Sequence, residues 1–294
     1  MKPLITIGVC VRNSASTLRE AITSIIDQDL PHESMEIIFV DDGSEDTTLT
    51  IIRWYVARVD MDTKVFHHSW QGLGASRNLV VDNARGTYIV WVDGDMILPA
   101  DHVRKQVEFM EANPKIGIAK ARYGVLEQEN SVAALENVPF IIFDSRNGSL
   151  DSKLPGTGGA IFRVESIKEV GGFDDCMKGV GEDQDAAFRV KSAGWLLKRS
   201  SASFYERRVS TWRGLWKKWF WYGQGDYHLF CKNRRVFSLF RMTPVAGFVN
   251  GVLQVGDAYK LTHRLSVLLL PFHSAFRMMA WVSGFINSSV SKSK

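Results

Sequence analysis

The stretch ITIGVCVRNSASTLREAITSIIDQDLPHESMEIIFVDDGS, Ile5 to Ser44, decides the fold. Ile5 to Val11 is a short apolar run rich in β-branched residues, which predicts a buried strand. Ser16 to Gln28 then changes period: Leu18, Ala21, Ile22, Ile25 and Ile26 recur at helical spacing. Met35 to Val40 is a second apolar run, ending at Asp41-Asp42-Gly43-Ser44. Strand, helix and strand in that order make a βαβ unit, which implies parallel pairing.

The alternation continues outward. Asp46 to Val59 predicts a second helix and Lys64 to His67 a third strand. Leu73 to Ala84 predicts a helix closed by Arg85-Gly86, and Tyr88 to Val92 a fourth strand entering Asp93-Gly94-Asp95. Asp101 to Asn113 predicts a helix stopped by Pro114, and Ile116 to Ala121 a fifth strand. The expected class is therefore α/β, with a doubly wound, mostly parallel sheet. Ligands in such sheets bind beyond the carboxyl ends of the strands. Asn13, Asp41, Asp42, Asp93 and Asp95 all collect there.

Residues 144–160 read as a glycine-rich loop, and Glu182 to Ala193 as a helix ended by Gly194. Three regions are expected: a nucleotide-binding and catalytic domain over 1–205, a basic aromatic segment over 206–242, and amphipathic or apolar helices over 243–294. Charge divides along the same lines. Residues 196–264 carry 13 Lys/Arg against 3 Asp/Glu, whereas the first 195 carry 20 against 29. An acidic front half suits a metal-binding site, and a basic back half suits phosphate or an anionic membrane surface. No nucleic-acid motif accompanies the charge, so nucleic acid is not an expected partner. Cys10, Cys176 and Cys231 are far apart and odd in number, which favours a reducing, cytoplasmic setting without disulfides. Met1 to Arg12 is too short for a signal peptide.

Asp93-Gly94-Asp95 puts two carboxylates one residue apart at a strand end. A departing nucleoside diphosphate needs its charge neutralised, and Mg²⁺ or Mn²⁺ binds such oxygens. Read alone, the tripeptide is equally a turn. Asp41-Asp42-Gly43-Ser44 is either a turn with a helix start or a carboxylate that reads a base or ribose. Gly74-Ala75-Ser76-Arg77-Asn78 is either a plain helix start or a source of amides and a guanidinium for a nucleotide. Gly181-Glu182-Asp183-Gln184-Asp185 opens a helix, where acidic residues suit the dipole; a carboxylate there is also a candidate general base.

The ordered series resembles the family 2 glycosyltransferases, of GT-A fold. It comprises Val11-Arg12-Asn13, Val40 to Ser44, Gly74 to Asn78, Gly86-Thr87-Tyr88-Ile89, Asp93-Gly94-Asp95, Gly158 to Arg163, Gly171-Gly172-Phe173-Asp174 and Gly181 to Asp185. The resemblance covers roughly residues 4–225. It implies an inverting transfer of sugar from a nucleotide-diphosphate donor, a UDP- or GDP-sugar, to an acceptor hydroxyl on a glycan or lipid-linked saccharide. By position it implies a divalent metal at Asp95 with Asp93, and Asp183 as the base. Val11, Asn13, Asp42, Gly74, Arg77, Asn78, Asp93, Gly94, Gly158, Gly159 and Glu182 are implied as substrate contacts. There are two departures. Arg12 stands where the family commonly has Tyr, and Glu206 stands where many members have a His. Arg207 and Arg208 are then candidates for the diphosphate.

Trp212, Trp216 and Trp219 share a helical face in a segment dense in Arg and Lys. That face suits core packing, a membrane-interface belt, or sugar contact. Thr243-Pro244 is a helix start. Leu265 to Ile286 is apolar and of spanning length, but Ser266, His273 and Arg277 form a polar stripe along it. Attachment to the inner face of the cell membrane is the leading expectation; a spanning segment or packing on the domain are the others. Three readings compete with transfer chemistry. A sugar nucleotidyltransferase would want a glycine-rich first loop, yet Leu4 to Asn13 has only Gly8. A non-catalytic nucleotide-sugar-binding protein would have lost Asp95 or Asp183, and both are present. A nicotinamide oxidoreductase would need G-x-G-x-x-G after the first strand, which is absent.

Overall fold

The computed structural model describes residues 3–124, 126, 130–145, 150, 154–234 and 238–291. The chain forms two compact units. One comprises 1–124, 149–178 and 182–207; the other comprises 125–148, 179–181 and 208–294.

The first unit is built on an eight-stranded sheet of order β3-β2-β1-β4-β7-β6-β8-β5. The strands are β1 (Ile5–Val11), β2 (Met35–Asp42), β3 (Asp62–His68), β4 (Tyr88–Trp91), β5 (Met96–Ile97), β6 (Ile116–Tyr123), β7 (Ala160–Arg163) and β8 (Leu196–Glu206). Its helices are α1 (Leu18–Ile26), α2 (Thr48–Val56), α3 (Leu73–Asn83), α4 (His102–Glu111), α6 (Val164–Glu169) and α7 (Glu182–Ser192). The half β3-β2-β1-β4 is parallel throughout. The other half is mixed: β7 runs antiparallel to β4 and β6, β5 runs antiparallel to β8, and β6 is parallel to β8.

Every residue of β1 and β2 is buried, as expected of strands covered on both faces. Side chains on one sheet face, including Ile5, Ile7, Val9, Ile37 and Phe39, join Leu18, Ile22 and Ile25 of α1 in one core. Those on the other, including Ile38, Val40, Ile89 and Phe162, join Val80 and Val81 of α3 and Ala186 and Val190 of α7. The strand expected over Met35 to Val40 continues to Asp42. Its neighbour β3 is long enough to pair Asp41 with His67 and Asp42 with His68. Both carboxylates are therefore fixed by the ladder rather than carried on a loop.

His102, at the start of α4, is fully buried, and its Nδ1 lies 2.6 Å from the Ser203 carbonyl of β8. Burial pushes its pKa down from 6.5 to about 4. Between those values the unfolded chain binds the extra proton and the folded chain does not. Stability is therefore lost as pH falls from about 6.5 toward about 4, by up to roughly 3 kcal/mol. His102→Gln keeps a donor for Ser203 and cannot titrate. Urea midpoints measured across that range should fall more steeply for the wild type; equal slopes would remove His102 from the account.

The second unit is helical: α5 (Ser131–Ser145), α8 (Trp212–Lys232), α9 (Pro244–Thr262) and α10 (Leu270–Ser291). Thr243 caps α9, accepting from the Ala246 amide at 3.2 Å, with Pro244 at the first turn. Leu265–Leu269 form a 3-10 turn, and Pro271 sits in the first turn of α10, where its missing N–H costs nothing. The loop expected over 144–160 lies partly outside the described residues. Asp144 and Ser145 belong to α5, and Leu154 to Gly159 are irregular. α10 runs to Ser291, and 292–294 lie outside the described residues.

Around its apolar core of Leu135, Val138, Ile142, Val267 and Leu270, this helical unit also buries ionisable side chains and exposes large apolar ones. Glu136, Arg208, His273 and Arg277 are buried, and Lys218 Nζ lies 3.3 Å from Glu136 Oε1. Phe240, Val245, Leu253, Leu265 and Phe272 are each more than 60% exposed. The Trp face of α8 packs on α10: Trp212 and Trp216 both meet Phe276 edge-on, and the Arg277 guanidinium lies over Trp219. Leu265–Ser291 is long and apolar enough to cross a bilayer, but its polar stripe faces into the unit.

Candidate active site

Three strand ends of the parallel half form the floor of the site. Beyond β1, Asn13 adopts a left-handed conformation, φ 51°, which Asn tolerates better than most residues. Its amide donates to Ser44 Oγ at 2.9 Å, and its Oδ1 accepts from the Glu45 amide at 2.8 Å. Asp41 Oδ2 lies 2.8 Å from His67 Nδ1, and Oδ1 accepts from the Ser44 hydroxyl. Asp42 accepts from the amides of Gln71 at 2.7 Å and Gly72 at 3.0 Å, with His68 Nδ1 3.3 Å away. Its carboxylate thus fixes the loop leading into α3.

The Asp93-Gly94-Asp95 turn is held at both ends. The Met96 amide donates to Asp93 O at 3.1 Å, and the Arg207 amide donates to Asp95 O at 2.8 Å. β5 pairs Met96 with Glu206, which sets a third carboxylate beside the turn. A side chain at Gly94 would lie 2.9 Å from Ser14 Cβ and 3.0 Å from Val11 Cγ1, so glycine lets the turn rest against the end of β1. A side chain at Gly158 would crowd Asp93 Oδ2 at 2.7 Å, and one at Gly159 (φ 68°) would collide with the Phe204 ring.

Arg77, on α3, is buried and links two acidic groups. Its Nη1 pairs with Glu182, and its Nη2 lies 3.8 Å from Asp93 Oδ1. Water reaches 45% of the Asp93 side chain, yet the carboxyl pKa is raised. Crowding by protein atoms is the main cause. Arg77 opposes it, Glu206 and Asp183 add repulsion, and Lys120 offsets part of that. Asp183, in the first turn of α7, accepts from the Thr157 amide at 3.2 Å and the Gln184 amide at 2.8 Å. Carboxylates facing one another in this way suit a hard divalent cation, which Asp95 and Asp93 would hold with Glu206 as an added oxygen donor. Among the described residues, the one tight cluster of three ligand atoms is Asp174, Asp175 and Cys176, at the surface. A thiolate there is a poor partner for Mg²⁺ or Mn²⁺.

Several expected substrate contacts have structural partners within the protein. The Asn78 amide group is clamped on Phe173, donating to its carbonyl at 2.9 Å and accepting from its N–H at 2.8 Å. Gly74 gives close passage to the Asp174 carbonyl, 2.5 Å from where a Cβ would stand. Glu182 is buried and serves Arg77. Arg207 points at Glu20 through two bonds of 2.8 and 2.9 Å. Arg208 belongs to the helical unit, where it is buried over the Phe140 ring. The sequence reading missed Lys120, a buried lysine on β6 that donates to the Gly156 carbonyl at 3.3 Å and to that of Gly158. Its signal was a single cation inside the apolar run Ile116 to Ala121. It also missed Trp70.

The sequence profile described as glycosyl transferase family 2 matches residues 6–171, more than half of the chain, and the chain belongs to that family. It is 35% identical over 114 residues to an uncharacterized glycosyltransferase of Haemophilus influenzae, covering 38% of this chain and 44% of that protein. The match spans less than half the length of such curated relatives, 17% in two others. Among solved structures, the mannosyltransferase PcManGT of Pyrobaculum calidifontis, in complex with GDP-Man and Mn²⁺, superposes with TM-score 0.71. The identity is 18%, over 99% of this chain and 88% of that one. TarS 1–349 of S. aureus, in complex with UDP-GlcNAc, gives TM-score 0.57 at 16% identity over 98% and 92%. These likenesses establish the GT-A fold. The profile match ends before α7, so it does not extend to Asp183.

Proposed function

We propose that this chain transfers a sugar from a nucleotide-diphosphate donor to an acceptor hydroxyl, with inversion at the anomeric carbon. The observation that carries the reading is that Asp93 and Asp183 both border the Gly156–Gly158 loop, with Glu206 paired beside the Asp93 turn and Arg77 against Asp93. Asp183 removes the proton of the acceptor hydroxyl as that oxygen attacks the anomeric carbon. The diphosphate leaves on the opposite side, and inversion follows from the single displacement. Arg77 holds positive charge beside Asp93 as negative charge develops on the leaving group. A divalent cation held by Asp95 and Asp93 would supply charge neutralisation for the diphosphate. GDP-Man and UDP-GlcNAc in the neighbouring structures support GDP- or UDP-sugars as the donors to try first. A donor screen that reads released nucleoside diphosphate, with and without Mn²⁺, tests the reading. Silence with every common donor, in the presence of acceptor extracts, would overturn it.

The helical unit supports attachment to the cytoplasmic face of a membrane, with a glycan or lipid-linked saccharide as acceptor. Folded proteins in water mostly bury large apolar residues; this unit exposes Val245, Leu253, Leu265 and Phe272 while burying Glu136, His273 and Arg277. Exposed apolar side chains on α9 and α10 stand beside Arg241, Lys260 and Arg264, and each such cation gains about 1 kcal/mol near anionic lipid. The full chain should co-sediment with anionic liposomes and less with neutral ones. Leu253→Glu with Phe272→Glu, both at exposed positions, should leave it in the supernatant. A wild-type chain that is monodisperse without detergent and ignores both lipids would end this part of the reading.

A further inference from the structure

We infer that the indole of Trp70, fixed against the Asp42-Gly43 turn at the carboxyl ends of β2 and β3, is the stacking platform for the donor's nucleobase. The inference rests on the nucleotide-sugar reading and adds a specificity-determining residue to it.

Trp70 follows β3 directly, in the loop whose next two amides, Gln71 and Gly72, are both held by the Asp42 carboxylate. Gly43 lies so close that a side chain there would stand 2.6 Å from the Trp70 amide nitrogen. The backbone under the indole is thus anchored on the strand that carries Asp41 and Asp42. The ring itself is 49% exposed. Its company is cationic: the Arg12 guanidinium lies 5.4 Å and Lys178 Nζ 5.9 Å from a ring centroid of Trp70.

A rigid backbone carrying a half-exposed aromatic face is what base stacking requires, because little order has to be created on binding. Arg12 marks where a flat, polarisable partner is already favourable. Its own side chain is 39% exposed, and its ion pair with Glu45, 3.6 Å long, lies at the surface and is weak. A nucleobase can displace the guanidinium from the ring at small cost. Arg12 supplies no ring at the end of β1, whereas Trp70 offers a broad exposed aromatic face beside the Asp42-Gly43 turn.

The test is calorimetric titration of the full chain with UDP, GDP and inorganic pyrophosphate, each with Mn²⁺. Trp70→Ala, Trp70→Phe and Trp54→Ala are compared with the wild type; Trp54 is an equally exposed tryptophan, on α2. Loss of base stacking should weaken the preferred nucleoside diphosphate of Trp70→Ala by roughly tenfold or more. Trp70→Phe should recover most of that loss, and Trp54→Ala should behave as wild type. Pyrophosphate, which has no base, should bind all four proteins alike. Unchanged nucleotide affinity in Trp70→Ala overturns the inference. So does an equal loss for nucleotide and pyrophosphate, which would mean that the loop had been disturbed. A wild type that binds pyrophosphate but neither nucleotide overturns the nucleotide reading itself, and this inference with it.

Discussion

Asp183→Asn should lower the rate of sugar transfer by roughly 10² to 10⁴, the range for removing a general base, while donor affinity stays close to wild type. Asparagine keeps the size of the side chain and can still accept from the Thr157 amide, 3.2 Å from Asp183 Oδ2. The start of α7 should therefore hold, and what disappears is the ability to take a proton. The measurement is single-turnover transfer at saturating donor, with nucleoside diphosphate binding measured in parallel. Parallel losses in rate and donor affinity would assign Asp183 to the architecture of the 156–158 loop.

Asp95→Ala should cost both rate and donor binding, since a diphosphate whose counter-ion is lost is repelled by the remaining carboxylates. EDTA should silence the wild-type chain, and Mg²⁺ or Mn²⁺ should restore it. In the variant, added metal should tighten nucleoside diphosphate binding far less than in the wild type. The Asp95 backbone carbonyl, which accepts from Arg207 N–H at 2.8 Å, is untouched by the substitution, so the β5–β8 pairing should persist. Undiminished transfer by EDTA-treated chain would refute the metal assignment. Glu206 makes a graded comparison. As an added donor beside the turn, Glu206→Gln should weaken metal response less than Asp95→Ala does.

The parallel half of the sheet was legible because β1, β2 and β4 are apolar runs buried along their whole length, while the half-buried edge strand β3 was read short at both ends. β1 coincides with its expected bounds, and α3 falls within one residue of them. In the second half β6 was read, over Ile116 to Ala121, but β7 and β8 were not, for a physical reason. β7 is four residues long, and β8, LLKRSSASFYE, interleaves basic and hydroxyl residues with the apolar ones because only some of its positions are buried. Their pairings join residues far apart in sequence, which no local pattern encodes. At the site, the carboxylates could be named from their strand-end positions. Their partners could not, because Arg77 with Glu182, and Asn78 with Phe173, meet only through the tertiary fold. Lys120 and Trp70 had no motif to mark them; each was a residue of the wrong character for its surroundings.

In the helical unit, α8 and α10 cross at a reciprocal pair of glycines. A Cβ on Gly223 would run into the Trp281 carbonyl, and one on Gly284 into that of Phe220. Such a crossing is held by surface fit between two backbones, with Trp281 Nε1 donating to Asp226 Oδ2 at 2.7 Å. Its strength does not depend on expelling water, because dispersion between closely fitted surfaces acts in hydrocarbon as well as in solution. The helix pair should therefore keep its register in lipid, in detergent and in buffer alike.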